Sequence, residues 1–149
     1  MKLEFSGSPV IRATREYVWS RLTDPDFVAA SGPGVEAVET LDPTHFKVVS
    51  GLGVGSVKVR FKLDVELFDI VEGQSLKMRS RGKAPGSMVD IVSSLQIADA
   101  APGTVRLDWS ATSEVSGTVA SVGARLLEGT ARKLTEGFWT EFARRVGEG

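Results

Sequence analysis

The sequence contains no cysteine, one histidine and one tyrosine among its 149 residues. The absence of cysteine excludes disulfide bonds, thiolate nucleophiles and zinc sites with sulfur ligands. No segment approaches the ~18 consecutive apolar residues that indicate a membrane-spanning helix. Glu4 lies where a signal peptide carries its apolar segment. We therefore expect a cytoplasmic protein, and peripheral contact with the inner membrane surface stays open.

The sequence also lacks an excess of positive or negative charge. The 18 basic and 19 acidic residues give a formal net charge of −1. A nearly neutral chain has no global field that attracts nucleic acid, so no nucleic-acid partner is expected. The 42% apolar and 25% charged fractions are ordinary for a globular protein. The length corresponds to one domain over residues 1–149.

The first third of the chain predicts a strand followed by two short helices. Residues 2–13 alternate loosely in hydrophobicity, which indicates a strand with an interruption. Thr14 is a candidate N-cap for one helix. Asp24-Pro25 is a candidate cap and first position for a second helix. The Gly32-Pro33-Gly34 segment ends that second helix.

The middle of the chain alternates with a period of two residues. Val57–Leu67 has apolar residues at every second position over eleven residues, the pattern of a half-buried strand. Val35–Leu41 and Phe46–Leu52 are predicted strands before it, and three further strands follow with short turns at glycines. Because parallel strands need long crossovers, short turns predict an antiparallel meander.

The last segment returns to helical spacing. Apolar residues recur at three- and four-residue steps from about Thr118 to Val146, which predicts a helix on the order of 40 Å long. One apolar helix stripe and one apolar sheet face must cover each other. The prediction is an α+β fold in which about seven twisted strands curve around the C-terminal helix. Gly123, Gly129 and Gly137 lie inside this helix, where absent side chains allow close packing or leave room for a ligand.

Motifs that resemble catalytic or metal sites have simpler explanations. Gly51–Gly55 resembles a phosphate-binding loop, but a strand follows it where that motif requires a helix. His45 lies beside a turn without further ligands at metal-binding spacing, so we expect it to be solvated. Asp64 and Glu66 share one strand face with basic residues, which indicates a solvated face rather than a paired-carboxylate site.

Two groups of charged residues suggest contacts with other molecules. Lys77, Arg79, Arg81 and Lys83 form a basic row that suits either a balanced surface or a carboxylate-rich or lipid surface. The aromatic segment Phe138–Phe142 lies among arginines and lysine. That mixture is typical of a core-facing helix with a charged back, and it also occurs at membrane surfaces.

Specific residues carry a resemblance to known proteins. Val18-Trp19 followed by Leu22-Thr23-Asp24-Pro25 resembles the start of the START/polyketide-cyclase (SRPBCC) superfamily. Gly32-Pro33-Gly34-Val35-Glu36 is similar to the Leu-Pro-Gly-Val-Glu signature of the CoxG family, named for the G subunit of carbon monoxide dehydrogenase, with Gly32 in place of leucine. The segment from Leu126 to Phe138 resembles that family's final helix.

The resemblance implies a helix-grip fold with a cavity between the long helix and the sheet. Members of the family accompany molybdenum-containing carbon monoxide dehydrogenases and related hydroxylases. They are associated with membrane attachment of the enzyme and with binding of a quinone-like lipid. Some members carry a C-terminal tail for membrane contact. Here Gly149 closely follows the predicted helix, so we expect the tail to be missing and do not predict membrane anchoring through it.

The leading hypothesis is a non-enzymatic accessory protein that holds a hydrophobic small molecule, quinone-like or another lipid, in the cavity. Pockets of this kind are mostly apolar with few polar groups. The predicted lining residues share an inward position: Phe61, Leu63, Met78, Ile91, Trp109, Leu126 and Phe138.

Two alternatives stay open at the level of sequence. The first is a docking module that contacts a molybdenum hydroxylase-type enzyme through the charged sheet face at Arg79 and Arg81. The second is a cyclase- or hydrolase-type enzyme of the same superfamily. That enzyme would need Asp90 or Asp108 inside the pocket as an acid–base group.

Overall fold

The computed structural model describes residues 1–54 and 57–148. Their order is β1 (Lys2–Gly7), β2 (Val10–Ile11), α1 (Arg15–Leu22), α2 (Pro25–Ala30), β3 (Val35–Asp42), β4 (His45–Val54), β5 (Val57–Val71), β6 (Ser75–Ala84), β7 (Ser87–Asp99) and β8 (Val105–Gly117), then a 3₁₀ helix (Thr118–Val122) and α3 (Ala124–Glu148). The predicted α+β order is confirmed, with two short helices near the start and one long helix at the end.

The strands form one curved antiparallel sheet in the order β1-β8-β7-β6-β5-β4-β3. The prediction of about seven strands becomes eight because the first segment divides into β1 and β2, both paired with β8. Pro9 lies at the division. It has no N–H to donate to the ladder, while its carbonyl accepts a hydrogen bond from Leu107 N–H at 2.9 Å.

The predicted caps hold the two short helices. The Thr14 hydroxyl accepts a hydrogen bond from Tyr17 N–H at 3.1 Å, which satisfies a donor that has no partner within the first turn. The Asp24 carboxylate does the same for Phe27 N–H at 3.3 Å, and Pro25 occupies the first helical position. Both helices contribute buried residues to the core, among them Val18 and Leu22 of α1 and Val28 of α2.

The C-terminal half of α3 closes the core. Trp139, Phe142 and Val146 are buried, and the Phe142 ring makes edge contacts with Trp139 and Phe27, each at a centroid distance of 5.7 Å. Arg145 points inward and donates to the carbonyl of Phe27 at 3.0 Å. The aromatic residues of this half are therefore mainly core residues, as amphipathicity favoured.

Ion pairs along α3 follow the three- and four-residue spacing of a helix. Arg132 contacts Glu128 at 3.2 Å, one turn away. Glu141 accepts a hydrogen bond from Arg144, three residues further on, whereas Arg145 donates to a carbonyl of α2. The guanidinium of Arg144 holds the pKa of Glu141 below its usual range.

The predicted C-terminal helix is interrupted near its start. Gly123 has a φ of 107°, so the 3₁₀ helix ends there and α3 begins at Ala124. Gly129 and Gly137 lie within α3 but are exposed, and a Cβ atom at either position would meet no atom within 4 Å. These two glycines therefore explain neither close packing nor room for a ligand.

Replacing Gly129 or Gly137 with alanine is expected to raise the free energy of unfolding by about 0.5–1 kcal/mol each, since glycine costs that much inside a helix. Urea unfolding followed by circular dichroism measures the change. Gly82→Ala is the matched control, because its Cβ would lie 2.6 Å from atoms of Leu63 and Val89 and should destabilise the protein. A loss of stability at Gly129 would contradict the assignment of an unobstructed outer face.

Candidate ligand-binding cavity

A cavity of about 260 Å³ lies between the inner face of the sheet and the N-terminal half of α3. Its helical wall follows the spacing Leu127, Ala131, Leu134 and Phe138, which is one stripe of the helix. Strands β3 to β8 supply the opposite wall. None of the described residues that line it is Asp, Glu, Lys, Arg or His.

Five of the seven predicted residues line this cavity: Phe61, Leu63, Met78, Ile91 and Phe138. The four strand residues among them face inward because every second residue of a strand points to the same side of the sheet. Their contact with a bound molecule stays a prediction.

Trp109 and Leu126 lie outside the cavity wall, which corrects their predicted position. Trp109 is buried behind the wall, where its ring stacks on Trp139 at a centroid distance of 6.2 Å. Leu126 is 44% exposed, whereas the adjacent Leu127 is buried. The stripe of α3 that faces the cavity runs through Leu127, Ala131, Leu134 and Phe138, and Leu126 lies on the solvent side of that stripe.

Sequence reasoning did not select the polar residues of the lining. Ser50, Ser80, Ser93 and Ser113 contribute to the strand wall, and Thr130 contributes to the helix. The signal that could have found the serines is the same alternation. Each occupies an inward position of its strand, but a small polar residue lowers the apparent contrast between the two faces.

The rim of the cavity is built by the segment between α2 and β3. Gly32 and Pro33 belong to the lining, and Pro33 is exposed to solvent. The carbonyl of Pro33 accepts a hydrogen bond from the Ser50 hydroxyl at 2.8 Å. The carbonyl of Gly34 accepts one from Gly51 N–H at 2.9 Å. These two bonds fasten the rim to β4.

A comparison with protein families places the chain. The sequence profile of CoxG, the G subunit of carbon monoxide dehydrogenase, matches residues 7–147. The chain belongs to the CoxG family. The match includes the Gly32–Glu36 segment at the rim and almost all of α3. No curated protein sequence matches the chain.

Solved structures share the fold of this CoxG-family protein. A conserved protein from Geobacillus kaustophilus is 25% identical, with a TM-score of 0.87 and coverage of 98% of this chain and 96% of that chain. A START superfamily protein from Mycobacterium smegmatis is 13% identical, with a TM-score of 0.71 and coverage of 97% of both chains. The Zhui aromatase/cyclase from Streptomyces sp. R1128 is 13% identical, with a TM-score of 0.70 and coverage of 98% and 94%. The fold is therefore the START-like helix grip.

The carboxylates required by the enzyme alternative face away from the CoxG-family cavity. Asp90 accepts two hydrogen bonds from Arg79, at 3.2 and 2.7 Å, and this partner lowers the pKa of Asp90. Asp108 is similarly bonded by Arg106 at 2.7 Å, which lowers the pKa of Asp108. Neither belongs to the cavity lining. Both are held as ionised surface groups, which are poor general acids.

His45 lies at an exposed hairpin on the sheet. Its Nδ1 is 2.9 Å from an Asp42 carboxylate oxygen and its Nε2 is 3.6 Å from Glu66. The hydrogen bond to Asp42 is the main cause that raises the pKa of His45. The residues that the structure describes contain no group of three or more His, Cys, Asp or Glu able to hold a metal ion.

The glycine-rich segment lies at the end of β4. Gly51 and Gly53 pair with β5 in an antiparallel register, and a strand follows as predicted, whereas Gly55 is outside the described residues. No helix in the described part of the chain combines the length and apolarity needed to cross a membrane.

Proposed function

We propose that this CoxG-family protein is a non-enzymatic accessory protein that holds a hydrophobic small molecule in the cavity beneath α3. The observation that carries the proposal is the cavity itself, about 260 Å³ of mostly apolar space between sheet and helix. Apolar pockets with a few polar groups are the usual form of small-molecule sites. The family membership and the START-like fold support the same conclusion at a coarser level.

The size of the cavity limits what can be enclosed. At the volume that water occupies, about 30 Å³ per molecule, the cavity of about 260 Å³ equals the space of about nine water molecules, and covalently bonded ligand atoms pack more closely than separate water molecules. A ring of a quinone-like lipid is of this size. A longer tail would leave past the rim at Pro33, where the lining reaches solvent.

The proposal for a partner enzyme rests on the membership of the chain in the CoxG family. We propose that the protein serves a molybdenum-containing carbon monoxide dehydrogenase or a related hydroxylase, with peripheral membrane contact as part of the same role. Recovery of that enzyme's subunits with the tagged protein, identified by mass spectrometry, checks this part. The alternative of docking through Arg79 is less supported, because both hydrogen bonds of that guanidinium go to Asp90.

Native mass spectrometry with menaquinone, ubiquinone and fatty acids tests ligand binding. We expect at least one of them to be retained, and a ligand at 100 times its Kd should stabilise the fold by about 2.7 kcal/mol. Ala131→Trp should fill the cavity and lower affinity by about tenfold or more, since each 1.4 kcal/mol of lost contact is tenfold. Ala131→Leu is a milder version if tryptophan overpacks the site.

The control for the filling variant is Lys133→Trp, which places the same ring on an exposed position of α3. Binding should be unchanged in that variant. Retention of no ligand by the parent protein, or equal affinity in Ala131→Trp and Lys133→Trp, would contradict the carrier function.

A further inference from the structure

The buried polar side chains of the described residues are all serines: Ser31, Ser50, Ser87, Ser93 and Ser113. Three of them serve the fold. Ser50 donates to the Pro33 carbonyl at 2.8 Å, Ser87 accepts from Val119 N–H at 2.9 Å, and Ser31 accepts from Arg145 at 2.7 Å. Each of these hydroxyls therefore connects two elements of the structure.

The other two serines are different. Ser93 is 7% exposed and Ser113 is 4% exposed, both line the cavity, and neither hydroxyl bonds to another group of the described residues. Ser80 is a third cavity hydroxyl without such a bond. Among the described residues, the only fully enclosed side-chain polar atom without a partner is Arg21 Nε. The hydroxyl oxygens of Ser80, Ser93 and Ser113 are therefore open to the cavity space, where they can donate to a molecule that enters it.

The register of the sheet brings the three hydroxyls together. Ser80 and Ser113 both pair with Ile91, one from each neighbouring strand, and Ser93 is the next inward residue after Ile91. Ser93 is thus diagonal to each of the others, at a typical Cβ separation of about 7–8 Å. An oxygen atom midway between Ser93 and Ser113 can accept from both, because a hydroxyl reaches about 3–4 Å beyond its Cβ to its acceptor.

The surroundings of this cluster are apolar and uncharged. Met78, Ile91 and Ala111 lie beside the serines in the ladder, and no ionisable side chain occurs among the described lining residues. A carboxylate or phosphate placed here would lose its hydration without gaining an opposite charge. A neutral oxygen would gain hydroxyl donors at little desolvation cost.

We infer that Ser93 and Ser113, with Ser80, form the polar anchor of the cavity and select a neutral ligand with a carbonyl or hydroxyl oxygen at its inner end. The inference rests on the proposed function. It adds the chemical class of the ligand and its direction, with oxygen against β7 and β8 and the apolar remainder toward α3. Fatty-acid anions are disfavoured by the same site.

Three naphthalenes of matched shape test the class of ligand. They are 2-acetylnaphthalene with a neutral carbonyl, 2-ethylnaphthalene without oxygen, and 2-naphthoate with a charge, each competing against the neutral fluorophore N-phenyl-1-naphthylamine on the full chain. We expect 2-acetylnaphthalene to bind about two- to tenfold more tightly than 2-ethylnaphthalene, the range of one neutral hydrogen bond. The naphthoate should bind most weakly.

The variants Ser93→Ala and Ser113→Ala should remove the preference for the carbonyl and leave the affinity for 2-ethylnaphthalene unchanged or higher. Their melting temperatures should not fall, because neither hydroxyl bonds within the described protein. Ser116→Ala, on the exposed face of β8, is the matched control and should retain the preference.

The outcomes separate this inference from the proposed function. If the protein retains no lipid in native mass spectrometry and binds neither the fluorophore nor any naphthalene, the carrier function fails and the inference fails with it. If the acetyl and ethyl compounds bind equally, or the naphthoate binds as well as either, the carrier function stands and the serine anchor is overturned. Lower melting temperatures for both serine variants would show that the hydroxyls serve the fold and would also overturn it.

Discussion

Phe142→Ala is expected to lower the free energy of unfolding by about 3–5 kcal/mol, the range for a large aromatic residue removed from a packed core. Phe142 is fully buried, and its ring contacts both Phe27 of α2 and Trp139 of α3. The substitution removes apolar contacts between two helices at once, and the surrounding backbone cannot collapse to fill the space. Urea unfolding monitored by tryptophan fluorescence and circular dichroism measures the loss.

Phe138→Ala is the matched control for this prediction. The residue lies one turn earlier on α3 and its ring contacts Trp139 at 4.6 Å, but it is only partly buried and lines the cavity. Because part of its surface already faces open space, its removal should cost less than about 3 kcal/mol. Equal losses of unfolding free energy for Phe138→Ala and Phe142→Ala would show that the protein packs tightly around Phe138, contrary to the structure.

Gly34→Ala is expected to lower the free energy of unfolding by about 2–4 kcal/mol, summed from two causes. Gly34 has a φ of 64°, in the left-handed region that costs a residue with a Cβ about 1–2 kcal/mol. The added Cβ would also clash with the carbonyl oxygen of Gly51. Relief of that clash would break the hydrogen bond from Gly51 N–H to the Gly34 carbonyl.

Gly103→Ala separates the two causes in the same measurement. Gly103 has a φ of 78°, but a Cβ there would meet no atom within 4 Å. Only the conformational cost of about 1–2 kcal/mol is therefore expected. Similar losses for Gly34→Ala and Gly103→Ala would mean that the backbone contact at the rim contributes nothing to stability.

The Gly34 result bears on the family motif. Gly32–Glu36 resembles a CoxG signature, and its ionisable group, the Glu36 carboxylate, pairs with Arg60 at 3.0 Å and does not line the cavity. Its backbone carbonyls bond β4 through Ser50 and Gly51, and Pro33 forms the rim of the cavity. The motif therefore shapes the entrance to the cavity, and it does so through its backbone conformation at Gly34 and its backbone hydrogen bonds.

Sequence signals predicted helices and strands correctly where the stabilising contact lies between residues close together in the chain. Thr14 and Asp24 cap their helices because a side-chain oxygen reaches the N–H three residues ahead without help from the rest of the chain. The alternation of Val57–Leu67 marked a strand, and β5 extends it to Val71. The break at Gly123 was missed, because residue periodicity carries no information about a single φ value.

The sequence predicted the residues of the cavity wall less accurately than it predicted the helices and strands. Alternation shows that Trp109 and Met78 both face inward, but it cannot show what lies opposite each of them. Trp109 meets Trp139, whereas Met78 meets open space. On α3, an apolar stripe is wide enough to include neighbouring residues, so only the packing against the sheet showed that Leu127 is buried and Leu126 is exposed.

The sequence by itself determined the element order, the alternating faces of the strands and the family membership. Only the tertiary structure decided which inward residues touch protein and which touch a cavity. The reason is that a cavity forms where two surfaces do not fit together, here the curved sheet and α3. Trp139 and Phe142 fill the space beneath the C-terminal half of α3. The residue pattern of the sheet or of the helix alone does not show where the two surfaces fail to fit. Ser93 and Ser113 show the consequence, because their hydroxyls face the cavity without a partner from the described chain.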